Sequence, residues 1–131
     1  MFLDTSGLLC LLNELESKHL LACSLFTQAH SYLVHDHVLS ELVALAQIRR
    51  VARTPTLELI EYLVAAPKVV TVFVDYDQLE DAIMLLKARN DKTYSLCDAI
   101  SFVLMRRHGE RDALTTDKHF EQEGFVRLLK D

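Results

Sequence analysis

The chain alternates short apolar runs with longer segments whose apolar residues recur at helical spacing. The apolar runs predict buried strands, and the periodic segments predict amphipathic helices. The first run, Met1–Leu3, stops at Asp4, and we expect Thr5 or Ser6 to cap the helix that follows. The predicted strands are, in chain order, 1–4, 32–35, 69–74, 113–115 and 125–129.

Polar residues, proline and glycine mark where the predicted helices begin and end. Each signal either satisfies free backbone groups at a helix end or prevents the helix from continuing. The predicted start signals are Asp36 as an N-cap, Thr54-Pro55 with proline at the first helical position, and the capping boxes Asp75/Gln78 and Ser95/Asp98. The predicted ends are Pro67 and Gly109, and the predicted packed residues include Leu21 in helix 18–31 and Leu57, Ile60 and Val64 in the helix before Pro67.

The run Val69–Val74 is almost continuously apolar and β-branched. A strand without alternation is buried on both faces, which is typical of a parallel sheet covered by helices. Strands that alternate with helices predict an α/β fold, a three-layer sandwich with a mainly parallel five-stranded sheet. The length of 131 residues predicts a single domain, residues 1–131.

Charge and composition narrow the classes of function. The net charge of −5 argues against a broad basic surface for nucleic acid, although a local patch remains possible. No apolar run is long enough to span a bilayer, so no membrane contact is expected. The three cysteines are scattered, which favours free thiols and a cytoplasmic location.

Four acidic residues are predicted to meet at one edge of the sheet. Asp4 and Asp117 end strands, while Glu41 and Asp98 lie near the starts of helices. Both kinds of position lie at the carboxyl edge of a parallel sheet. Close carboxylates repel one another unless a cation compensates them, and oxygen ligands favour Mg²⁺ or Mn²⁺. Taken singly, Asp98 and Asp117 are also explained as helix caps, and Asp4 as a turn residue.

Four segments in this order resemble PIN domains, and most closely the VapC-type toxins of bacterial toxin–antitoxin pairs. The resemblance extends from Met1 to about Leu129. It implies a Mg²⁺- or Mn²⁺-dependent ribonuclease whose site residues are Asp4, Glu41, Asp98 and Asp117, supported by Ser6 and Thr115. It further implies an RNA substrate, a cognate antitoxin and a homodimer. The segments are Met1-Phe2-Leu3-Asp4-Thr5-Ser6, Val38-Leu39-Ser40-Glu41-Leu42, Tyr94-Ser95-Leu96-Cys97-Asp98-Ala99-Ile100-Ser101, and Leu114-Thr115-Thr116-Asp117-Lys118-His119-Phe120 with Gly124-Phe125.

Two basic clusters are candidates for holding the RNA backbone. One follows the Glu41 helix and the other precedes Tyr94. Basic side chains at helix ends also complement the helix dipole without any ligand, and that interpretation is equally open. The candidates are Arg49, Arg50, Arg53, Lys87, Arg89 and Lys92.

Other interpretations compete with the ribonuclease hypothesis. His35-Asp36-His37 looks like a metal triplet, but no further ligand is spaced to complete a zinc site. His119 is interpreted as a surface histidine, with contact to substrate as the alternative. A phosphoacceptor signalling domain using Asp75 and a non-catalytic PIN-like RNA-binding module are the alternative functions.

Overall fold

The computed structural model describes all residues, 1–131, as five strands and seven helices. The strands are β1 (Phe2–Leu3), β2 (Tyr32–His35), β3 (Val69–Val72), β4 (Asp112–Leu114) and β5 (Val126–Arg127). The helices are α1 (Thr5–Leu12), α2 (His19–Gln28), α3 (Asp36–Ile48), α4 (Arg53–Ala65), α5 (Tyr76–Ala88), α6 (Leu96–Arg107) and α7 (Lys118–Gln122). Every strand pair is parallel, so the predicted α/β class is confirmed.

The strand order is β3-β2-β1-β4-β5, which puts the first strand at the centre of the sheet. Phe2 pairs with Leu33 of β2 on one side and with Ala113 of β4 on the other. Every residue of β1 and β2 is buried, which requires helices on both faces. The chain first builds outward through β2 and β3, then crosses back to the other side of β1.

Gly7 lets α1 lie directly against β4. A Cβ atom at this position would be 2.0 Å from the carbonyl oxygen of Leu114 and 2.9 Å from the Leu114 side chain. Real Cβ atoms do not approach backbone this closely, so only glycine fits. The contact keeps the start of α1, and Asp4 before it, next to the end of β4.

The structure corrects the prediction that the third strand is buried on both faces. Val69 is buried, but Val70 is 50% exposed and Phe73 is 71% exposed. The reason is the strand order, because β3 is an edge strand and pairs only with β2. Composition indicated an apolar strand correctly, but it does not encode which strands lie at the edge.

Helix α1 begins differently from the prediction. Asp4, rather than Thr5 or Ser6, occupies the N-cap position, and its carbonyl accepts the N–H of Leu8 at 3.0 Å. The extended backbone of β1 continues through Asp4, at φ −89° and ψ 158°, so helical geometry starts at Thr5. The Asp4 carboxylate does not cap the helix and is free for other contacts.

Helix α3 is capped by His35 and not by Asp36. The Nδ1 atom of His35 accepts the backbone N–H of Val38 at 3.3 Å. Asp36 instead accepts the backbone N–H of Val74 at 3.0 Å, which ties α3 to the segment after β3. A tertiary partner therefore replaces the local capping role that the sequence suggests.

Helix α4 begins at Arg53 with Ala52 at the N-cap position, so Thr54 is not the cap and Pro55 is the third helical residue. The hydroxyl of Thr56 donates to the carbonyl of Ala52 at 2.9 Å and closes this first turn. Proline is tolerated there because the first backbone N–H groups of a helix have no intrahelical partner. The helix ends at Ala65, before Pro67 as predicted.

The buried faces of two helices agree with the prediction only in part, since Ile60 of α4 packs against the core as predicted but other residues do not. In α2 the buried residue is Ala22, while Leu21 is 42% exposed. In α4 the buried residues are Thr56 and Leu63, while Leu57 and Val64 lie partly in solvent. Both helices are apolar on more than one side, so periodicity alone does not identify the packed face.

Other local predictions are confirmed. The capping boxes at Asp75/Gln78 and Ser95/Asp98 are both formed. Gly109 has a positive φ of 66° at the end of α6. All three cysteines are free thiols. None of the helices combines the length and apolar character needed to cross a bilayer.

Candidate metal centre

The carboxyl ends of β1 and β4 lie side by side in the middle of the sheet, and we refer to this junction, which follows Leu3 and Leu114, as the crevice. The chain leaves β1 towards β2 on one side, and β4 lies on the other side, so the connections diverge at this point. Parallel α/β sheets place their ligand sites in such a crevice. Asp4 follows β1 and Asp117 follows β4 by three residues, so both lie at this edge.

Asp4 is buried, with 6% of its surface exposed, and its carboxylate is held by two hydroxyl groups. Thr115 donates to Oδ2 at 2.7 Å, and Ser6 donates to the same oxygen at 2.9 Å. Both side-chain donors approach Oδ2, which leaves Oδ1 without one. Ser6 and Thr115 thus orient the carboxylate without neutralising its charge.

The same two hydroxyl groups connect Asp4 to the segment that carries Asp117. Ser6 accepts the backbone N–H of Thr116 at 3.0 Å, and Thr115 accepts that of Asp117 at 3.0 Å. The oxygen atoms of Ser6 and Thr115 are themselves 3.0 Å apart. One hydrogen-bonded network therefore fixes the end of β1 against the end of β4.

Asp98, Asp117 and His119 form a second group at this edge. One ligand atom from each lies within 4.8 Å of the others. His119 Nδ1 is 3.0 Å from Asp98 Oδ2 and 3.4 Å from Asp117 Oδ2. Asp98 also accepts the backbone N–H of Ser95, and Asp117 accepts that of His119, so both carboxylates cap helices while they face each other. The capping and clustering interpretations are compatible.

Burial and neighbouring charge make ionisation of Asp4 costly. Desolvation raises the pKa of Asp4 from 3.8 to about 6, against the lowering effect of the Thr115 and Ser6 hydrogen bonds. The Asp98 charge raises the pKa of Asp4 further. None of the four predicted carboxylates forms an ion pair with lysine or arginine. The negative charge of this cluster is therefore poorly compensated.

Glu41 lies in the second turn of α3, partly exposed and without a hydrogen bond or ion pair. Its charge nevertheless acts on the thiol of Cys97. Burial raises the pKa of Cys97, and the charges of Glu41, Asp4 and Asp98 raise it further. Glu41 therefore lies in the same part of the molecule as Asp4 and Asp98.

The histidine triplet does not form a zinc site. His35 is fully buried, and its Nε2 donates to Ser101 Oγ at 2.9 Å because Nδ1 already accepts a backbone N–H. The Ser101 hydroxyl donates onward to the carbonyl of Cys97 at 2.8 Å. Burial lowers the pKa of His35 to about 3, so the ring stays neutral and structural.

The six predicted RNA-contacting residues differ in their availability. Arg89 donates to both carboxylate oxygens of the buried Glu123, at 2.8 and 3.2 Å, and Arg49 pairs with Glu16 at 3.0 Å. Arg53 bonds to Gln47 and Lys92 pairs with Asp91 at the surface. Arg50 and Lys87 are exposed and make no ion pair, so they are the freest cations of the six.

Asp75 lies away from the crevice. It is exposed, caps α5, and follows β3, which is two strands from β1. Neighbouring strands are about 4.8 Å apart, which separates β3 from β1 by roughly 10 Å and from the β1–β4 junction by roughly 12 Å. This position argues against the phosphoacceptor hypothesis.

His119 is the residue at this edge that sequence reasoning undervalued. Its side chain is 25% exposed, and it contacts two carboxylates, the Thr93 hydroxyl at 3.2 Å and the Tyr94 ring at a centroid distance of 5.2 Å. It is therefore a member of the cluster and not a solvated surface histidine. The available signal was its place two residues after Asp117, in the first turn of a helix that starts at the crevice.

Comparisons with known proteins identify the family and the fold. A family model described as PIN domain matches residues 1–125. The fold is similar to the crystal structure of VapC20 from Mycobacterium tuberculosis, a toxin that cleaves the sarcin–ricin loop, with a TM-score of 0.86. That match covers 95% of each chain at 29% sequence identity. No curated protein matches the chain significantly in sequence.

Proposed function

Because the chain belongs to the PIN-domain family, we propose that it is a metal-dependent ribonuclease and the toxin of a toxin–antitoxin pair. The observation that supports this proposal is the poorly compensated group of carboxylates at the β1–β4 junction. Asp98 and Asp117 lie together with His119. The Asp98 charge acts on Asp4, and the charges of Glu41, Asp4 and Asp98 all act on the thiol of Cys97.

The donor set fits a hard divalent cation. Asp4 is buried with a raised pKa, and its Oδ1 lacks a side-chain donor. A cation at this edge would offset the two effects that raise this pKa, which are burial and, to a smaller extent, the charge of Asp98. We assign Asp4, Glu41, Asp98 and Asp117 as the groups that hold it, with Ser6 and Thr115 as the hydroxyls that orient Asp4. Mg²⁺ or Mn²⁺ suits such a site, because these ions need few protein ligands and retain water.

The residues of the chain prepare the site for phosphodiester hydrolysis. A bound Mg²⁺ or Mn²⁺ supplies a more acidic water and stabilises charge on the leaving oxygen. Ser6 and Thr115 keep the Asp4 carboxylate in one orientation, and the capping contacts of Asp98 and Asp117 fix theirs. Arg50 and Lys87 are the cations that are free to contact the phosphate backbone.

The similarity to VapC20 supports an RNA substrate, and a ribosomal RNA loop is a concrete candidate. The proposed protein partners are a cognate antitoxin that covers the acidic crevice and a second copy of the chain in a homodimer. Several large apolar side chains at the surface, including Phe73 and Tyr76, are compatible with protein contacts. The proposed site of action is the cytoplasm, where ribosomal RNA is available.

Incubation of the purified protein with ribosomes, total transfer RNA and a synthetic sarcin–ricin loop tests the proposal. We expect cleavage with Mg²⁺ or Mn²⁺ and none in excess chelator. Asp4→Asn should abolish cleavage, while Asp91→Asn, which changes an exposed carboxylate, should cleave like the parent. RNA binding without cleavage under every ionic condition would support the non-catalytic alternative instead.

A further inference from the structure

We propose that His119 is a nitrogen ligand of the metal in this crevice, so that the site prefers Mn²⁺ to Mg²⁺. This inference rests on the proposed metal site and specifies its chemistry. Sequence reasoning predicted an all-oxygen site. The structure adds an imidazole to it, which changes the class of ion that binds best.

The distances around His119 Nδ1 fit neighbouring positions on one ion. Ligands at about 2.1 Å from an octahedral ion lie about 3.0 Å apart when they are adjacent. His119 Nδ1 is 3.0 Å from Asp98 Oδ2 and 3.4 Å from Asp117 Oδ2. All three atoms can therefore face one ion with little movement of the side chains.

The second ring nitrogen of the imidazole also has an oxygen partner. His119 Nε2 lies 3.2 Å from the hydroxyl oxygen of Thr93. A histidine ligand normally donates its second N–H to an oxygen, which fixes the ring and leaves the first nitrogen unprotonated towards the metal. The edge-on contact with the Tyr94 ring, at 5.2 Å between centroids, restricts the ring further. Tyr94 is buried, so this contact is stable.

An imidazole ligand changes ion preference. Mg²⁺ binds oxygen ligands and retains its waters, whereas transition metals accept nitrogen readily. Without a cation, Nδ1 lies at hydrogen-bond distance from Asp98 Oδ2, 3.0 Å, and donates its proton to that oxygen. A metal bound between these atoms would take the place of that proton.

Spin-echo spectroscopy of the Mn²⁺-loaded full chain tests the ligand directly. We expect modulation from one imidazole ¹⁴N in the parent, and its replacement by a ¹⁵N signal when histidine is isotopically labelled. His119→Asn should remove the modulation, because the asparagine amide keeps a hydrogen-bond donor near Nδ1 but is a poor ligand. The control His30→Gln changes an exposed histidine and should retain it.

Calorimetric titration with each ion gives a second readout. For His119→Asn, we expect Mn²⁺ affinity to fall on the order of tenfold or more, with Mg²⁺ affinity changed less than about threefold. Thr93→Val should weaken Mn²⁺ binding by roughly tenfold through the lost outer contact.

Mn²⁺ that binds without imidazole modulation would overturn the ligand role and leave the proposed nuclease intact. Equal losses for both ions in His119→Asn would overturn it as well, since a purely positional role affects both. A parent chain that binds neither ion would overturn the metal site itself, and with it the proposed function.

Discussion

The burial of Asp4 predicts that removing its charge stabilises the metal-free protein. The pKa of Asp4 is about 6 in the folded chain and 3.8 ordinarily. At about 1.36 kcal/mol per pKa unit, this difference corresponds to about 3 kcal/mol. The folded state binds the proton more tightly than the unfolded chain, so this group costs stability as pH rises from about 4 to 6. The full cost is present above pH 6.

Asp4→Asn avoids this cost while keeping an oxygen for the Thr115 and Ser6 hydroxyls. In chelator at pH 8 we expect the variant to be more stable than the parent by roughly 1–3 kcal/mol, since burial of the amide offsets part of the gain. At pH 4 the difference should be close to zero. Urea unfolding across this pH range measures it, with Asp91→Asn as the exposed control.

Metal should reverse the order of stability. An ion at about 100 times its Kd stabilises the parent by about 2.7 kcal/mol, and the variant gains much less. An Asp4→Asn variant that is less stable than the parent at pH 8 in chelator would contradict this prediction. A stability difference that is the same at pH 4 and pH 8 would contradict it as well, because the effect would then not arise from ionisation of Asp4.

Three further predictions concern the site, the RNA contacts and the scaffold. Glu41→Gln should keep the fold but lower RNA cleavage at least about 100-fold. Asp75→Ala should lose about 1 kcal/mol of stability and cleave RNA normally. Melting curves measure the change in stability, and cleavage rates with Mn²⁺ measure the change in activity. Arg89→Gln should lower the stability of the fold by about 3 kcal/mol, because it leaves the buried Glu123 carboxylate without its main partner. Lys87→Gln should leave the melting temperature unchanged and weaken RNA binding in chelator severalfold. The reverse result would mean that Arg89 is the RNA contact. Gly7→Ala should destabilise the chain by at least about 3 kcal/mol in urea unfolding, since its Cβ meets the backbone of Leu114, and an unchanged midpoint would show that α1 can move away from β4.

The edge position of the four acidic residues could be predicted because the fold class determines it. In a parallel α/β sheet, strand ends and the starts of helices share one edge, so alternating patterns place Asp4, Glu41, Asp98 and Asp117 there without further information. The hydroxyl partners of Asp4 were harder to predict from the sequence. Thr115 is distant in sequence and becomes a partner only because β1 pairs with β4.

The remaining errors depend on tertiary contacts that local patterns do not contain. Asp36 lies where the sequence predicts a helix cap, but its carboxylate accepts the backbone N–H of Val74, and His35 caps the helix instead. Val70 is exposed because β3 is an edge strand, and the order of strands in the sheet cannot be predicted from the residues of one strand. The contact of His119 with Asp98 could not be predicted, because it depends on the distance between the starts of α7 and α6 in the folded chain.

The central position of β1 determines when the site can assemble during synthesis. The second edge of β1 stays unpaired until β4, more than a hundred residues later, has been made. Long-range parallel pairing of this kind is slow and comes late in folding. Asp4 acquires its Thr115 partner only when that segment has left the ribosome. A nascent or truncated chain that ends before Thr115 therefore lacks the ordered acidic crevice, so the full set of site residues assembles only after β4 has been made.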